Sequence, residues 1–362
     1  MTASQTTPSP TVRVGLIGTG WWAEPMYLPA LRAHPQGRIT ALVGRNARPL
    51  AERWGITQVY DDYHQLIDAK LVDAVIVATR NDTHYPITMA ALDAGLHVLC
   101  EKPLGLNYPQ AAAMAAHATR QGVKHMTPFT YSFMPTARYL KQLIDEGYIG
   151  QPYHLNLRYF TGFARDPGGY NWRLDRTLAG SGALGDIGSH FLYLAYWLYG
   201  EITEVCAELG EIVPRAALDP KGQPYVRADD NAMLLLKFAN GAQGMLHATI
   251  IASEETQFGQ IHGLDFHGSA GTLHCHIDWE TTQEIRGLRV GEGPARLLPI
   301  PDSIWQGARR ERVHDTYRDL FRTQEFMARQ WVSAIALDQP VTPDFHAGAY
   351  VQRVMDAAIA SH

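Results

Sequence analysis

Cysteine is scarce. The 362 residues hold three, Cys100, Cys206 and Cys275, too few and too scattered for a disulfide framework or a Cys-x-x-Cys metal pair. A reducing cytoplasm is the simplest home for such a chain. An excess of positive charge is missing too. Against 36 acidic residues stand 31 basic ones, a formal net charge of −5, and no basic block or stripe marks a nucleic-acid partner. No apolar run approaches the roughly 18 residues a membrane helix needs. Residues 1–11, rich in Thr, Ser and Pro, have neither an apolar core nor a twin arginine. They read as a loose tail with no secretion signal. Long repeats and low-complexity blocks are absent as well. What remains is 46% hydrophobic and 19% charged, which suits a globular protein of about two domains with sizeable cores.

The first half alternates strand and helix. Residues 12–17 read as a buried strand that runs into Gly18-Thr19-Gly20-Trp21-Trp22-Ala23. This is Gly-x-Gly-x-x-Ala between a strand and a helix, the setting a dinucleotide fingerprint requires. Gly18 permits the tight turn, Gly20 lets backbone approach a pyrophosphate, and Ala23 allows close helix–strand packing. The helix start offers amide N–H groups to the anion. Further strands are expected over 38–43, 58–60, 73–78, 97–100 and 124–127, with a helix over 83–93. That alternation predicts a doubly wound parallel sheet. After the second strand comes Gly44-Arg45-Asn46-Ala47-Arg48, and no carboxylate appears until Glu52. An acidic residue there would favour NAD; a guanidinium pairs with a 2′-phosphate. NADP(H) is therefore expected over NAD(H), with Arg45 as the main contact and Arg48 as a second candidate. The alternative is that Arg45 stacks on adenine and both cofactors bind.

Val98-Leu99-Cys100-Glu101-Lys102-Pro103 carries the chemistry of this half. Proline cannot extend a sheet ladder, and it biases the residue before it away from helix. Lys102 is thus expected at the carboxyl end of a parallel strand, in the crevice where such sheets bind ligands.

Three stretches together resemble the Gfo/Idh/MocA oxidoreductases, which include glucose–fructose oxidoreductases and inositol dehydrogenases. They are the glycine fingerprint, Val75-Ile76-Val77-Ala78-Thr79-Arg80-Asn81-Asp82-Thr83-His84, and Ala94-Gly95-Leu96-His97-Val98-Leu99-Cys100-Glu101-Lys102-Pro103. The resemblance implies a Rossmann domain followed by an α+β domain with a large, mainly antiparallel open sheet. It implies that Lys102 bonds the reacting oxygen, that Glu101 lies near the nicotinamide ribose, and that the Lys102–Pro103 peptide is cis. Thr19, Trp21, Trp22, Thr79, Asn81 and His84 then line the cofactor groove; the plainer role of His84 is that of a helix-start residue. Arg80 replaces a proline common in the family.

The second half reads as a substrate and assembly domain. Residues 135–146 form an amphipathic helix, and residues 154–159 alternate as a half-solvated strand does. Residues 233–238 and 243–250 flank Ala239-Asn240-Gly241-Ala242, the signature of a hairpin with a type I′ turn. More strands are expected over 260–267 and 272–277, one helix over 317–337 and a last one over 345–360. The domains are set at 12–130 and 131–362, with the final helix of the first open to contribution from later residues. A homo-dimer or homo-tetramer through the second sheet is expected.

Gly180-Ser181-Gly182-Ala183-Leu184-Gly185-Asp186-Ile187-Gly188-Ser189-His190 holds the other chemical groups. Asp186 and His190, four apart, share one face of a helix, and a carboxylate beside an imidazole raises its basicity and orients it. The alternative is a buried pair that caps and packs. Asp-x-Gly-x-His matches the family string, though Tyr193 stands where a second aspartate is common. By the same resemblance Trp172 and Arg173 lie near the site. Arg173 reaches either the cofactor, a substrate oxygen or a salt-bridge partner, and Tyr131 and Tyr317 are hydroxyl donors at places where relatives contact substrate, with a structural role as the plainer reading. His262, His267, His274 and His276, with Cys275 between them, fit no zinc spacing and read as strand-surface residues; no metal is expected. The expectation is hydride transfer between a nicotinamide and a sugar, inositol or related polyol. In it, Lys102 holds the reacting oxygen, His190 moves the proton and Asp186 orients His190. Two rivals are a glycosidase that oxidises its substrate transiently and a non-catalytic nucleotide sensor.

Overall fold

Residues 11–254 and 259–362 are described by the computed structural model. Of the expected tail, residues 1–11, only residue 11 lies within them. Six parallel strands form the first sheet: β1 (Val12–Ile17), β2 (Gly37–Val43), β3 (Gln58–Tyr60), β4 (Ala74–Val77), β5 (His97–Cys100) and β6 (His125–Met126). Their order is β3-β2-β1-β4-β5-β6. The apolar runs of β1, β4 and β5 follow from burial on both faces. The strand order reverses beside β1, so the chain leaving β1, β4 and β5 shares one crevice.

Eight strands form the second sheet: β7 (Pro152–Thr161), β8 (Ile202–Gly210), β9 (Asn231–Phe238), β10 (Gln243–Thr249), β11 (Gln260–Gly268), β12 (Gly271–Asp278), β13 (Thr282–Arg289) and β14 (Arg296–Leu297). The order is β14-β13-β12-β11-β7-β10-β9-β8, antiparallel except for β7 with β10. Alternation sorts the side chains: Leu155, Leu157 and Tyr159 of β7 are buried on one face, while Arg158 is exposed on the other.

The helix Phe345–Ser361 crosses back to pack on Tyr108–Gln121 beside the first sheet, and Thr127 N donates to Pro343 O at 3.0 Å. The end of the chain thus ties the two sheets together. The Lys102–Pro103 peptide is cis, as the resemblance implied, and so is Thr342–Pro343.

Two local expectations are corrected. The β9–β10 turn is not type I′, because Gly241 alone takes a positive φ, 88°. Asn240 stays right-handed and uses its side chain instead, Oδ1 accepting from Ala242 N and Nδ2 donating to Tyr199 O. A short loop with one left-handed glycine results. The expected 317–337 helix is two helices, Val313–Thr323 and Ala328–Ala336, broken at Met327 with φ 52°. Phe321 on the first of them and Trp331 on the second are both fully buried.

Candidate active site

The fingerprint turn has the geometry its glycines imply. Gly18 has φ 105°, and a Cβ there lies 2.3 Å from Ala78 O, so β1 and β4 leave no room for a side chain. A Cβ on Gly20 meets nothing within 4 Å. The fold does not need that glycine; a backbone approaching a pyrophosphate does. The chain then winds with π geometry over Ala23–Tyr27 before the short α-helix Leu28–Arg32. Trp21 is exposed, whereas Trp22 packs edge-on against Tyr317 at 6.0 Å. Thr19 Oγ1 accepts from Asn46 N, joining this turn to the end of β2. Arg45 is exposed there, with no ion pair among the described residues, while Arg48 lies 3.6 Å from Asp61. These residues fit a nicotinamide dinucleotide.

Lys102 leaves the carboxyl end of β5 and turns toward the second domain. Its Nζ donates to Asp186 O at 2.6 Å and to Asp186 Oδ1 at 3.0 Å. Arg173 Nε lies 3.6 Å from Asp186 Oδ2, and its guanidinium stacks on Trp172 at 4.6 Å. Burial pushes the Asp186 carboxyl up, but Lys102 and then Arg173 outweigh burial and hold it below the usual carboxylate range. Glu101, just before the lysine, accepts from the Tyr27 hydroxyl and, through Oε2, from Lys102 N at 3.3 Å. Burial raises the Glu101 carboxyl, and burial with Glu101 raises the Tyr27 phenol far above its ordinary value.

His190 is the second residue of the helix Ser189–Tyr199, and its place departs from expectation. Asp186 lies in a π-wound turn, Leu184–Gly188, and that wider winding takes positions four apart out of line. The carboxylate therefore serves Lys102 and Arg173 rather than His190. Nδ1 of His190 is buried without a hydrogen-bond partner among the described residues, leaving Nε2 as the nitrogen able to meet a substrate hydroxyl. Burial, Lys102 and His262 together hold the imidazole well below its usual pKa. Its ring sits edge-on to Tyr131 at 4.8 Å and to Phe129 at 6.2 Å. Phe129 is backed by Tyr193, stacked at 4.6 Å. Tyr317 belongs to the same wall, 6.2 Å from Tyr131 and 5.4 Å from Trp279.

Other expected residues fall elsewhere. His84 does not face the cofactor groove: fully buried, it sets Nδ1 2.9 Å from Pro103 O and Nε2 3.3 Å from Thr79 O, bracing the lysine loop. Asn81 Nδ2 donates to Ala179 O at 2.9 Å, joining the end of β4 to the loop ahead of Asp186. Thr79 Oγ1 accepts from Thr83. Arg80 pairs with its neighbour Asp82 at 2.9 Å. His262 is not a surface residue; β11 alternation buries it beside Gln260. His274 Nδ1 meets Asp265 Oδ1 at 2.7 Å, and its ring lies 5.7 Å from that of His267.

Among the described residues, His125, Asp344 and His346 bring three potential metal ligands within reach of one another. His125 Nδ1 already accepts from Phe345 N, and Asp344 Oδ1 caps Ala347 N.

Sequence reasoning missed Tyr27, Tyr159, Gln260 and Asp229. Asp229 accepts from Gly182 N at 2.8 Å and Leu184 N at 2.7 Å, fixing the turn that carries Asp186. A Cβ on Gly182 would lie 1.8 Å from Asp229 O. Period-two alternation could have put Tyr159 and Gln260 on the inner face; nothing local marks Tyr27 or Asp229.

Comparison with known proteins yields two matching family models. One, described as an oxidoreductase family with an NAD-binding Rossmann fold, covers residues 12–129. The other, a GFO/IDH/MocA C-terminal domain, covers residues 137–274. Levoglucosan dehydrogenase of Pseudarthrobacter phenanthrenivorans is 29% identical over 97% of this chain and 96% of its own. A 1,5-anhydro-D-fructose reductase of Ensifer adhaerens is 31% identical over 82% of this chain and 85% of its own. A solved levoglucosan dehydrogenase, in complex with NADH and levoglucosan, superposes with TM-score 0.83 at 27% identity, covering 97% of each chain.

Proposed function

Because the chain belongs to the Gfo/Idh/MocA oxidoreductase family, we propose that it moves hydride between NADP(H) and a hydroxyl-bearing carbon of a sugar, inositol or related polyol. The carrying observation is the meeting of Lys102 and Asp186, 84 positions apart, beside the dinucleotide turn. A bound nicotinamide accepts or donates the hydride. Lys102, with two of its three N–H groups held by Asp186, keeps one for the reacting oxygen and steadies the charge that grows on it. His190, neutral at pH 7 because its pKa is depressed, takes the hydroxyl proton at Nε2. Asp186 acts through Lys102, not through His190.

Arg45 supports NADP over NAD, as a free guanidinium where a 2′-phosphate belongs. The exposed side chains of Met233, Leu235 and Met245 on the outer face of the second sheet support a homo-dimer or homo-tetramer built across that face. The three cysteines are unpaired, in keeping with a reducing cytoplasm.

The test is reduction of NADP+ and NAD+ by the purified protein against a panel of sugars and polyols, with levoglucosan in it. With the best substrate, Lys102→Met should lower kcat by roughly a hundredfold or more and leave NADPH affinity unchanged. Turnover that survives the substitution would overturn the assignment.

A further inference from the structure

The missing carboxylate poses a question of position. An imidazole that moves a proton must be held at a fixed angle, and no polar group among the described residues grips His190 Nδ1. Its ring is held instead by Tyr131, edge-on at 4.8 Å, and Tyr131 is itself held at its hydroxyl. Tyr159 OH lies 2.7 Å from Tyr131 OH, and Gln260 Nε2 donates to the same oxygen at 3.1 Å. The second N–H of Gln260 reaches His262 Nε2 at 3.0 Å. Tyr159 comes from β7, and Gln260 and His262 from β11, which pairs with β7 so that His262 faces Tyr159. Two rigid strands therefore fix this chain of bonds.

All four side chains are buried, none more than 8% exposed, so each bond is made out of water and is expensive to lose. The proton count is informative. Gln260 spends both amide hydrogens, and the tyrosine pair shares one bond between two O–H groups. One phenolic proton is left over from the pair. Burial raises both phenols, with the Asp186 carboxylate adding to it, and the Tyr131 contact with His190 puts the pair on the active-site side.

We propose that Tyr159 and Gln260 are positioning residues: their bonds to the Tyr131 hydroxyl hold Tyr131, and through it the His190 ring, at the angle proton transfer needs. This rests on the hydride-transfer reading above. The titratable groups around His190 among the described residues are Lys102 after β5, His262 on β11, Tyr131 at the start of the second domain, and Asp186 and Tyr193 on its own segment. None of them is altered by the substitutions below.

Tyr159→Phe and Gln260→Leu in the full chain test it. Each should lower kcat about tenfold, since small misplacements of a reacting group are costly, and leave KM for the cofactor unchanged. Each should also move the acid limb of kcat upward in pH, because a loosened ring gains water. In the protein without substrate, the His190 imidazole, followed by 15N NMR, should titrate at higher pH in both variants. A variant with parental kcat, acid limb and His190 titration, even one that melts lower, would reduce the network to packing. If Tyr159→Phe does not accumulate, Gln260→Leu carries the same readouts. A parent protein inactive on every substrate would sink the hydride-transfer reading alone; the imidazole titration would still decide this one.

Discussion

Single residues set what chemistry is possible here, and their legibility varied with how local their cause is. Lys102 could be read because Pro103 stops the strand next to it. The lysine's partner could not be read from spacing. Four positions suggest that Asp186 serves His190, but π winding and the 84-residue closure of Lys102 onto Asp186 decide otherwise. Arg45 is a local case again. It follows the last residue of β2, Val43, by two positions and is exposed. Charge-assisted bonds contribute roughly 1.5–3 kcal/mol, so Arg45→Ala should raise KM for NADP+ about tenfold or more and leave KM for NAD+ nearly unchanged. Steady-state kinetics with both cofactors decides this. Equal effects, or a parent that prefers NAD+, would mean that Arg45 does not read the 2′-phosphate; the NADH in the levoglucosan dehydrogenase complex makes that outcome worth measuring.

At the scale of elements, hydrophobic periodicity gave the six strands of the first sheet and β7 and β9 to β12 of the second, but not β8, β13 or β14, because a strand buried on both faces and one buried on a single face leave different patterns. It did not give the helix break at Met327 or the turn type at Asn240, since both depend on partners distant in sequence. The two glycine turns separate ligand need from fold need. Gly20→Ala places its methyl in open space, so thermal stability should hold while dinucleotide affinity drops. Gly182→Ala drives a methyl against the Asp229 carbonyl at 1.8 Å, and backbone cannot yield cheaply there. It should destabilise the fold by about 1–3 kcal/mol or more, the range of other overpacked core sites, and displace the Asp186 turn. Thermal melts with and without NADPH compare the two. If Gly20→Ala melts lower without cofactor, that glycine is structural and the fingerprint argument weakens.

The whole molecule carries properties that no one motif shows. The outer face of the eight-stranded sheet leaves Leu235 61% exposed, with Met233 and Met245 beside it, and apolar side chains clustered on an open sheet favour association. Light scattering should find a dimer or tetramer, and Leu235→Glu should shift it toward monomer; a monomeric parent would remove the proposed interface. Burial of histidine is the second such property. His84, His190 and His262 are each less than 8% exposed and held below the ordinary imidazole pKa, chiefly by burial. A histidine with a depressed native pKa binds its proton more readily when unfolded, so stability is full above about pH 6.5 and declines as pH falls toward the native value. For His262 that window runs down to about 3. Within that window His262 should remove about 1.4 kcal/mol per pH unit, and His84 and His190 act in the same direction. Urea unfolding at pH 7 and pH 5 should therefore show a marked loss in the parent. His262→Gln, which removes the titrating ring next to Gln260, should lose less between the same two conditions. Parallel losses in the two proteins would mean that His262 does not stay neutral inside the fold, and that the sheet admits water where the buried strand face says it does not.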